Sequence, residues 1–472
     1  MNLYLAPEGL LRHEAVTGKS GSGKSEYLLW RLSQQIKLGG GAFVLDAKTD
    51  YGFRHRLWNL ARACAREHDL RCVNIDDGAN SNTYNPLLRG DAVAVASRFT
   101  ETLDVGGSAT AEHFRAQGHL ALTAAMTAIK TLDLAYNAAD LYVVLSHPPA
   151  MQWLLQSTRG ERERSSYAAW LQPYCQTERG VMRINLQALR QQIGGVASRL
   201  FVYGTGEIGR VMGAYAPEVD LLDCIDNNHI VYLMLPALEK NEAALAFARL
   251  FFSDLRSALA ALYKRPRAGR PRVPFMVALD EFGSYASRVV APTFEMARGA
   301  GVALMPIFQT YANLRNVSEE FADQIVGNTE VSTFFCVGDP NTAEFAARLF
   351  GQARRAFAAH SATESDSDQN RNLALRLFHP IARSRSRGIA WREAYDHRVR
   401  PEELMELPPG HAFVRVKSAN SAFKLCTPMI RPPQGSGFTH AGYATGARPG
   451  LDLMQRFAGA MRAGDENPAP PR

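Results

Sequence analysis

Disulfide and zinc chemistry are the first things this sequence leaves out. Its 472 residues hold six cysteines, Cys64, Cys72, Cys175, Cys224, Cys336 and Cys426, with no Cys-x-x-Cys pair and no Cys/His spacing of the zinc-binding kind. Neither a disulfide framework nor a structural zinc is implied, and a reducing, cytosolic setting fits best. No apolar run approaches the roughly eighteen residues that span a bilayer, and the first residues lack a signal-peptide plan, so the sequence as it stands reads as soluble. No internal repeat, base-reading module or aromatic stacking motif for nucleic acid is visible. Excess charge is also scarce. The 53 Lys and Arg face 46 Asp and Glu, a net +7 that permits an anionic partner without requiring one.

What is present begins near the N-terminus. Gly18-Lys19-Ser20-Gly21-Ser22-Gly23-Lys24-Ser25 is a complete G-x-x-x-x-G-K-[ST] phosphate loop. Its glycines let the backbone wrap a phosphate, so that successive N–H groups and the following helix N-terminus face the anion. Lys24 is expected to reach the β- and γ-phosphates of ATP, with the Ser25 hydroxyl on Mg²⁺. The flanks fit: Leu10 to Val16 reads as a short strand, and Glu26 to Lys37 carries Leu28, Leu29, Leu32 and Ile36 at helical spacing before Gly39-Gly40-Gly41 stops it.

Strand runs follow at Ala42 to Leu45 and Arg71 to Ile75. From Asp91 to Val219 no convincing β-run appears, whereas Glu112 to Leu132 and Ile184 to Leu200 keep helical periodicity. Then strand runs return at Ile230 to Leu235, Val273 to Leu279, Val302 to Phe308 and Val331 to Val337, with a long amphipathic helix over Asn241 to Tyr263. Strands alternating with helices predict an α/β fold with a mostly parallel sheet covered on both faces. The expected division is 1–90 and 221–430 for the two parts of a nucleotide-binding domain, 91–220 for an all-α insertion, and 431–472 for a poorly ordered Pro/Gly-rich tail. Ser361 to Asn372 reads as a polar loop, and His411 to Val416 with Phe423 to Cys426 as a closing hairpin.

A phosphate loop needs an acidic partner at the end of a neighbouring strand. Asp46 follows Ala-Phe-Val-Leu, and Asp280-Glu281 follows Pro-Phe-Met-Val-Ala-Leu. The pair is the better candidate, because ATP hydrolysis uses a metal-side carboxylate, Asp280, and an adjacent base for water, Glu281. Gln309 closes the strand Val302 to Phe308, where it can sense the γ-phosphate. Arg298, just before that strand, is the candidate arginine finger onto a neighbouring subunit's nucleotide, with Arg348 a weaker rival.

Several stretches fall in the order seen in the coupling-protein ATPases of type IV secretion and conjugation, the TraG/TraD type. They are Thr17-Gly18 through Ser25-Glu26, Asp46-Ala47-Lys48-Thr49-Asp50, Asn85-Pro86-Leu87, Leu279-Asp280-Glu281-Phe282, Arg298-Gly299-Ala300-Gly301-Val302 leading to Gln309-Thr310, Gly327-Asn328-Thr329, and Pro401-Glu402-Glu403-Leu404-Met405-Glu406-Leu407-Pro408. The chain resembles that family over about residues 10 to 430. The resemblance implies a RecA-like P-loop ATPase domain interrupted by an all-α domain, forming a homo-hexameric ring at the cytoplasmic mouth of a secretion channel in the inner membrane. Its partners would be channel components and a relaxase-bound DNA strand or a protein cargo, moved or licensed with ATP and Mg²⁺. It agrees with Gly18 through Glu26 as nucleotide-binding and with Lys24, Glu281, Gln309 and Arg298 as catalytic. Family members usually begin with transmembrane helices, whereas this chain starts a few residues before its first motif. It is then either a truncated form or one that docks through partners.

Three cargo readings stay open: a DNA translocase in conjugation, a receptor and gate for exported effector proteins, and an FtsK/HerA-type DNA pump outside secretion. The stretch Arg371 to Arg400 carries eight arginines against two acids, which can contact phosphates through charge alone or form a solvated face. A small-molecule P-loop kinase would need an acceptor pocket, and nothing in the helical insertion points to one.

Overall fold

Short runs in which nearly every residue is apolar build the centre of this molecule, because a parallel strand covered on both faces has no solvent side for polar residues. The structure is a computed structural model that describes residues 11–103, 109–178, 181–266, 269–367, 382–431, 438, 440–443, 445–446 and 448–458. Its strands are β1 (Glu14–Thr17), β2 (Ala42–Asp46), β3 (Leu70–Asn74), β4 (Cys175–Glu178), β5 (Val181–Ile184), β6 (Ile230–Met234), β7 (Phe275–Asp280), β8 (Val302–Phe308), β9 (Val331–Phe334), β10 (Gln352–Ser367), β11 (Ala382–His397), β12 (His411–Val416) and β13 (Ser421–Cys426). Among the described residues, nine of them form one sheet in the order β13-β12-β9-β1-β8-β7-β2-β6-β3. From β9 to β3 every pairing is parallel. The expected hairpin β12–β13 closes the β9 edge antiparallel.

Alternation along each strand divides the core in two. Ala42, Val44, Ile230, Tyr232, Met276 and Ala278 pack with Leu28, Leu29, Leu32 and Ile36 of the helix Lys24–Lys37. Phe43, Leu45, Val231, Leu233, Val277 and Leu279 face the other way, with Phe247, Phe251 and Leu255 of the helix Asn241–Tyr263. Between β3 and β6 runs the helical insertion, with helices such as Ala109–Lys130, Ala138–Ser146 and Leu186–Gly204. It is tied to the sheet domain through Arg98, whose fully buried guanidinium lies 2.9 Å from Asp254; Tyr84 donates a 2.9 Å hydrogen bond to the same carboxylate.

Four expectations need correction. The first strand is shifted to Glu14–Thr17 and carries a buried acid, Glu14, which accepts hydrogen bonds from Tyr27 (2.5 Å) and Thr333 (2.9 Å) and pairs with Arg31 (3.1 Å). The insertion is not purely helical, since β4 and β5 form a hairpin of two four-residue strands, too short for a periodic signal. The expected loop at Ser361 to Asn372 is strand as far as Ser367, paired with β11 in a two-stranded ribbon; the remainder lies outside the described residues. Finally, part of the expected tail is packed. Leu451, Leu453 and Phe457 are buried, and the Ala135 backbone donates to the Pro449 carbonyl (2.9 Å) and accepts from Leu451 N–H (2.9 Å). The Pro/Gly-rich composition hid these three apolar anchors. No described helix is long and apolar enough to cross a membrane.

Candidate functional site

The phosphate loop leaves the carboxyl end of β1 and is pinned from both sides. Gly18 N–H donates to the Phe308 carbonyl (3.3 Å) at the end of β8, and Lys19 N–H to Cys336 (2.7 Å) just beyond β9. A third tie comes from the segment after Pro401–Pro408, where Gly410 N–H donates to the Ser22 carbonyl (2.9 Å). Gly23 has φ 110° and sits against that segment; a Cβ there would meet Gly410 N at 2.9 Å. Gly21, at φ 73°, has open space where a Cβ would project. Lys24 is buried and donates to the carbonyls of Gly18 (2.5 Å) and Lys19 (2.9 Å). Burial depresses its pKa below the ordinary lysine value, with Glu281 opposing and Lys48 adding to the depression.

Asp280 ends β7, but that strand is not next to β1. β8 lies between them, which corrects the expectation of a neighbouring strand and puts Gln309 between the loop and the acids. Gln309 Nε2 donates a 3.0 Å hydrogen bond to Glu281 Oε2, and Lys48 Nζ pairs with Glu281 Oε1. Glu281 itself sits at φ 48°, a left-handed conformation that a non-glycine residue holds only under constraint. Burial, then the charge of Asp46, pushes the Asp280 carboxyl up to about 6, with Lys48 opposing and Glu281 adding to the rise.

Asp46, the rival acid, is in register with Asp280 across β2 and β7. Its oxygens accept from Lys48 N–H (2.9 Å), Asp50 N–H (2.7 Å) and the Tyr232 hydroxyl (2.6 Å). These three bonds shape the turn after β2.

The residues on hand fit a magnesium nucleotide. Burial, joined by the charges of Asp46 and Glu281, raises Asp280, a cost that a hard dication would relieve, and the groups expected to hold one, the Ser25 hydroxyl and the Asp280 carboxylate, would offer only oxygen. Among the described residues no group of three His, Cys, Asp or Glu could hold a metal ion. Ser22 Oγ is buried in the loop without a hydrogen-bond partner.

Other expected residues lie apart. Glu26 is clamped by Arg56 through two 2.6 Å bonds. Arg298 is exposed in the last turn of the helix Ala291–Ala300, ahead of β8. That is the amino edge of the sheet, opposite the phosphate loop. Arg348 is exposed in the last turn of the helix Pro340–Phe350. In the arginine-rich stretch, Arg398 donates to the Asn420 carbonyl (2.8 Å) and Arg400 pairs with Asp396 (2.6 Å), while the side chains of 371–392 lie outside the described residues. Lys48 had escaped notice as a site residue. The Asp-x-Lys segment carried the only signal, and spacing alone does not name its partner.

Comparisons with known proteins bear on the fold and on what the chain resembles. Residues 274–409 match the family described as the TraM recognition site of TraD and TraG. The type 4 coupling protein DotL of Legionella pneumophila is 23% identical over 465 residues, covering 88% of this chain and 57% of that protein. The chain thus spans little more than half the length of that relative. The conjugative coupling protein TrwB, in a form named TrwBdeltaN70, superposes with a TM-score of 0.59 at 15% identity, covering 92% of this chain and 89% of the other. TrwB in complex with ADP and Mg²⁺ gives the same score at 14% identity, covering 91% and 88%. At such identity the likeness speaks for the fold, a RecA-type α/β ATPase architecture with a helical insertion. The family match over residues 274–409, the DotL relative and the TrwB fold converge on the type IV coupling proteins of the TraG/TraD kind as the proteins this chain is similar to.

Proposed function

We propose that this chain hydrolyses ATP to move or license a relaxase-bound DNA strand through a type IV secretion channel. The observation that carries the proposal is the contact of Glu281, at the tip of β7, with both Gln309 and Lys48. In this reading Lys24 and the loop N–H groups hold the β- and γ-phosphates, and Ser25 and Asp280 hold Mg²⁺. Glu281 takes the proton of the attacking water, and Gln309 reports the γ-phosphate to it. Arg298 lies on the wrong edge to serve its own site, which supports a role on a neighbour's nucleotide in a homo-hexameric ring. The ring would sit at the cytoplasmic face of the inner membrane. Nucleotide-bound TrwB structures support ATP and Mg²⁺ as ligands, and the match to a TraM recognition site supports conjugation partners.

The net charge of +7 supports sequence-tolerant DNA contact through phosphates. The deciding experiment is the steady-state ATPase rate with and without random-sequence single-stranded and duplex DNA, across a salt series. Strong stimulation that falls with salt is the expected result. Turnover indifferent to DNA would replace the cargo reading with that of a receptor for exported effector proteins. DNA-stimulated translocation that persists without any channel component or relaxase would favour an FtsK/HerA-type pump.

A further inference from the structure

We propose that Lys48 is a positioning residue for Glu281, holding the base in the orientation that hydrolysis uses. The inference rests on the ATPase reading above. Four observations carry it. The Lys48 ammonium pairs with Glu281 Oε1 while Gln309 takes Oε2, so the carboxylate is held at both oxygens. Asp46 accepts from the Lys48 and Asp50 backbone N–H groups and the Tyr232 hydroxyl, and so fixes the backbone from which Lys48 projects.

Backbone strain is concentrated on the same contact. Thr49, beside Lys48, has φ 58°, and Glu281 has φ 48°. A β-branched residue and a glutamate in the left-handed region persist only where surrounding bonds hold them. The two strained turns, at the tips of paired strands β2 and β7, present the lysine and the carboxylate to each other.

Lys48 is also placed to act at the site without being part of the core. Its side chain is 46% exposed, so the fold does not depend on burying it. Burial works against its charge, yet the hydrogen bond and charge of Glu281 hold its pKa above the ordinary lysine value. Lys24 and Lys48 both feel the charges of Glu281 and Asp280, so two ammonium groups share the field of the same pair of acids.

The test is steady-state kinetics of the full chain on Mg²⁺-ATP. Lys48→Met is expected to lower kcat about 10- to 100-fold, the scale of a misplaced catalytic group, with KM within about twofold of wild type. Lys48→Arg, which keeps the charge and a donor, should recover most of the loss. In the double variant Lys48→Met/Glu281→Gln the rate should be no lower than with Glu281→Gln alone, because the lysine acts through the glutamate. If Lys48→Met fails to fold, Lys48→Gln, which keeps a donor without charge, supplies the same comparison.

Wild-type kcat in Lys48→Met, or a double variant slower than Glu281→Gln by the full Lys48 factor, would overturn the proposal. If Glu281→Gln is slow while Lys48→Met is normal, the lysine inference alone is lost. If Glu281→Gln runs at the wild-type rate, the base assignment goes and the inference with it.

Discussion

Gln309, the residue after β8, donates a 3.0 Å hydrogen bond to Glu281, the residue after β7. Because β8 lies between β7 and the strand that carries the phosphate loop, this bond joins the acids to the loop side of the site. Hydrogen bonds to charged groups contribute about 1.5–3 kcal/mol. Gln309→Ala should therefore lower kcat about 10- to 100-fold while leaving the ATP dissociation constant near wild type. Equilibrium nucleotide binding measured beside turnover checks the split; equal loss in both would make Gln309 a binding residue instead.

Arg298 and the phosphate loop occupy opposite edges of the sheet. If the arginine serves a neighbouring subunit, Arg298→Ala and Lys24→Ala should each be nearly inactive alone, and mixed rings should regain part of the activity. The recovery comes from interfaces where an intact loop meets an intact arginine. No recovery in rings verified as mixed would remove Arg298 from the site.

His13 is buried before β1, where Leu304 N–H donates to its Nδ1 (2.9 Å) and its Nε2 bonds the Phe294 carbonyl (2.9 Å). This leaves the ring neutral, and burial, partly offset by the Phe294 bond and reinforced by Arg298, lowers its pKa from 6.5 to about 4. A histidine depressed in the fold contributes stability that is complete above the unfolded value of 6.5 and lost as pH falls toward 4. The loss from this group is on the order of 3 kcal/mol. Thermal unfolding between pH 7 and 4 should show a steeper decline for wild type than for His13→Asn. Equal slopes would deny His13 that role.

Arg98 and Asp254 form the buried link between the helical insertion and the sheet domain. Asp254→Ala strands a guanidinium that has no access to water, and urea unfolding should report a loss of about 3–5 kcal/mol. A loss below about 1 kcal/mol, the scale of an exposed pair, would mean that the linkage rests on apolar packing alone.

The parallel core was readable because β2, β6, β7 and β8 are mostly apolar runs, and β8 and the helix Asn241–Tyr263 match the expected bounds residue for residue. Those residues have one environment, buried on both faces, so composition alone identifies them. Among the described residues β10 and β11 pair only with each other and needed no apolar run, so Ser361–Ser367 read as loop. Leu451, Leu453 and Phe457 are three anchors in a Pro/Gly-rich segment, too sparse for periodicity to detect. In the site, residue types at strand ends pointed to Glu281 and Gln309. The intervening β8, the clamp of Arg56 on Glu26 and the pairing of Lys48 with Glu281 depend on strand order and turn geometry, which no local pattern encodes.

The most direct test of ATP hydrolysis at this site is the Glu281→Gln variant, assayed for Mg²⁺-ATP binding and turnover in parallel. Binding close to wild type with turnover reduced about 10²- to 10⁴-fold, the usual contribution of a general base, is the result expected. Turnover equal to wild type would contradict the assignment of Glu281 and the catalytic site built around it.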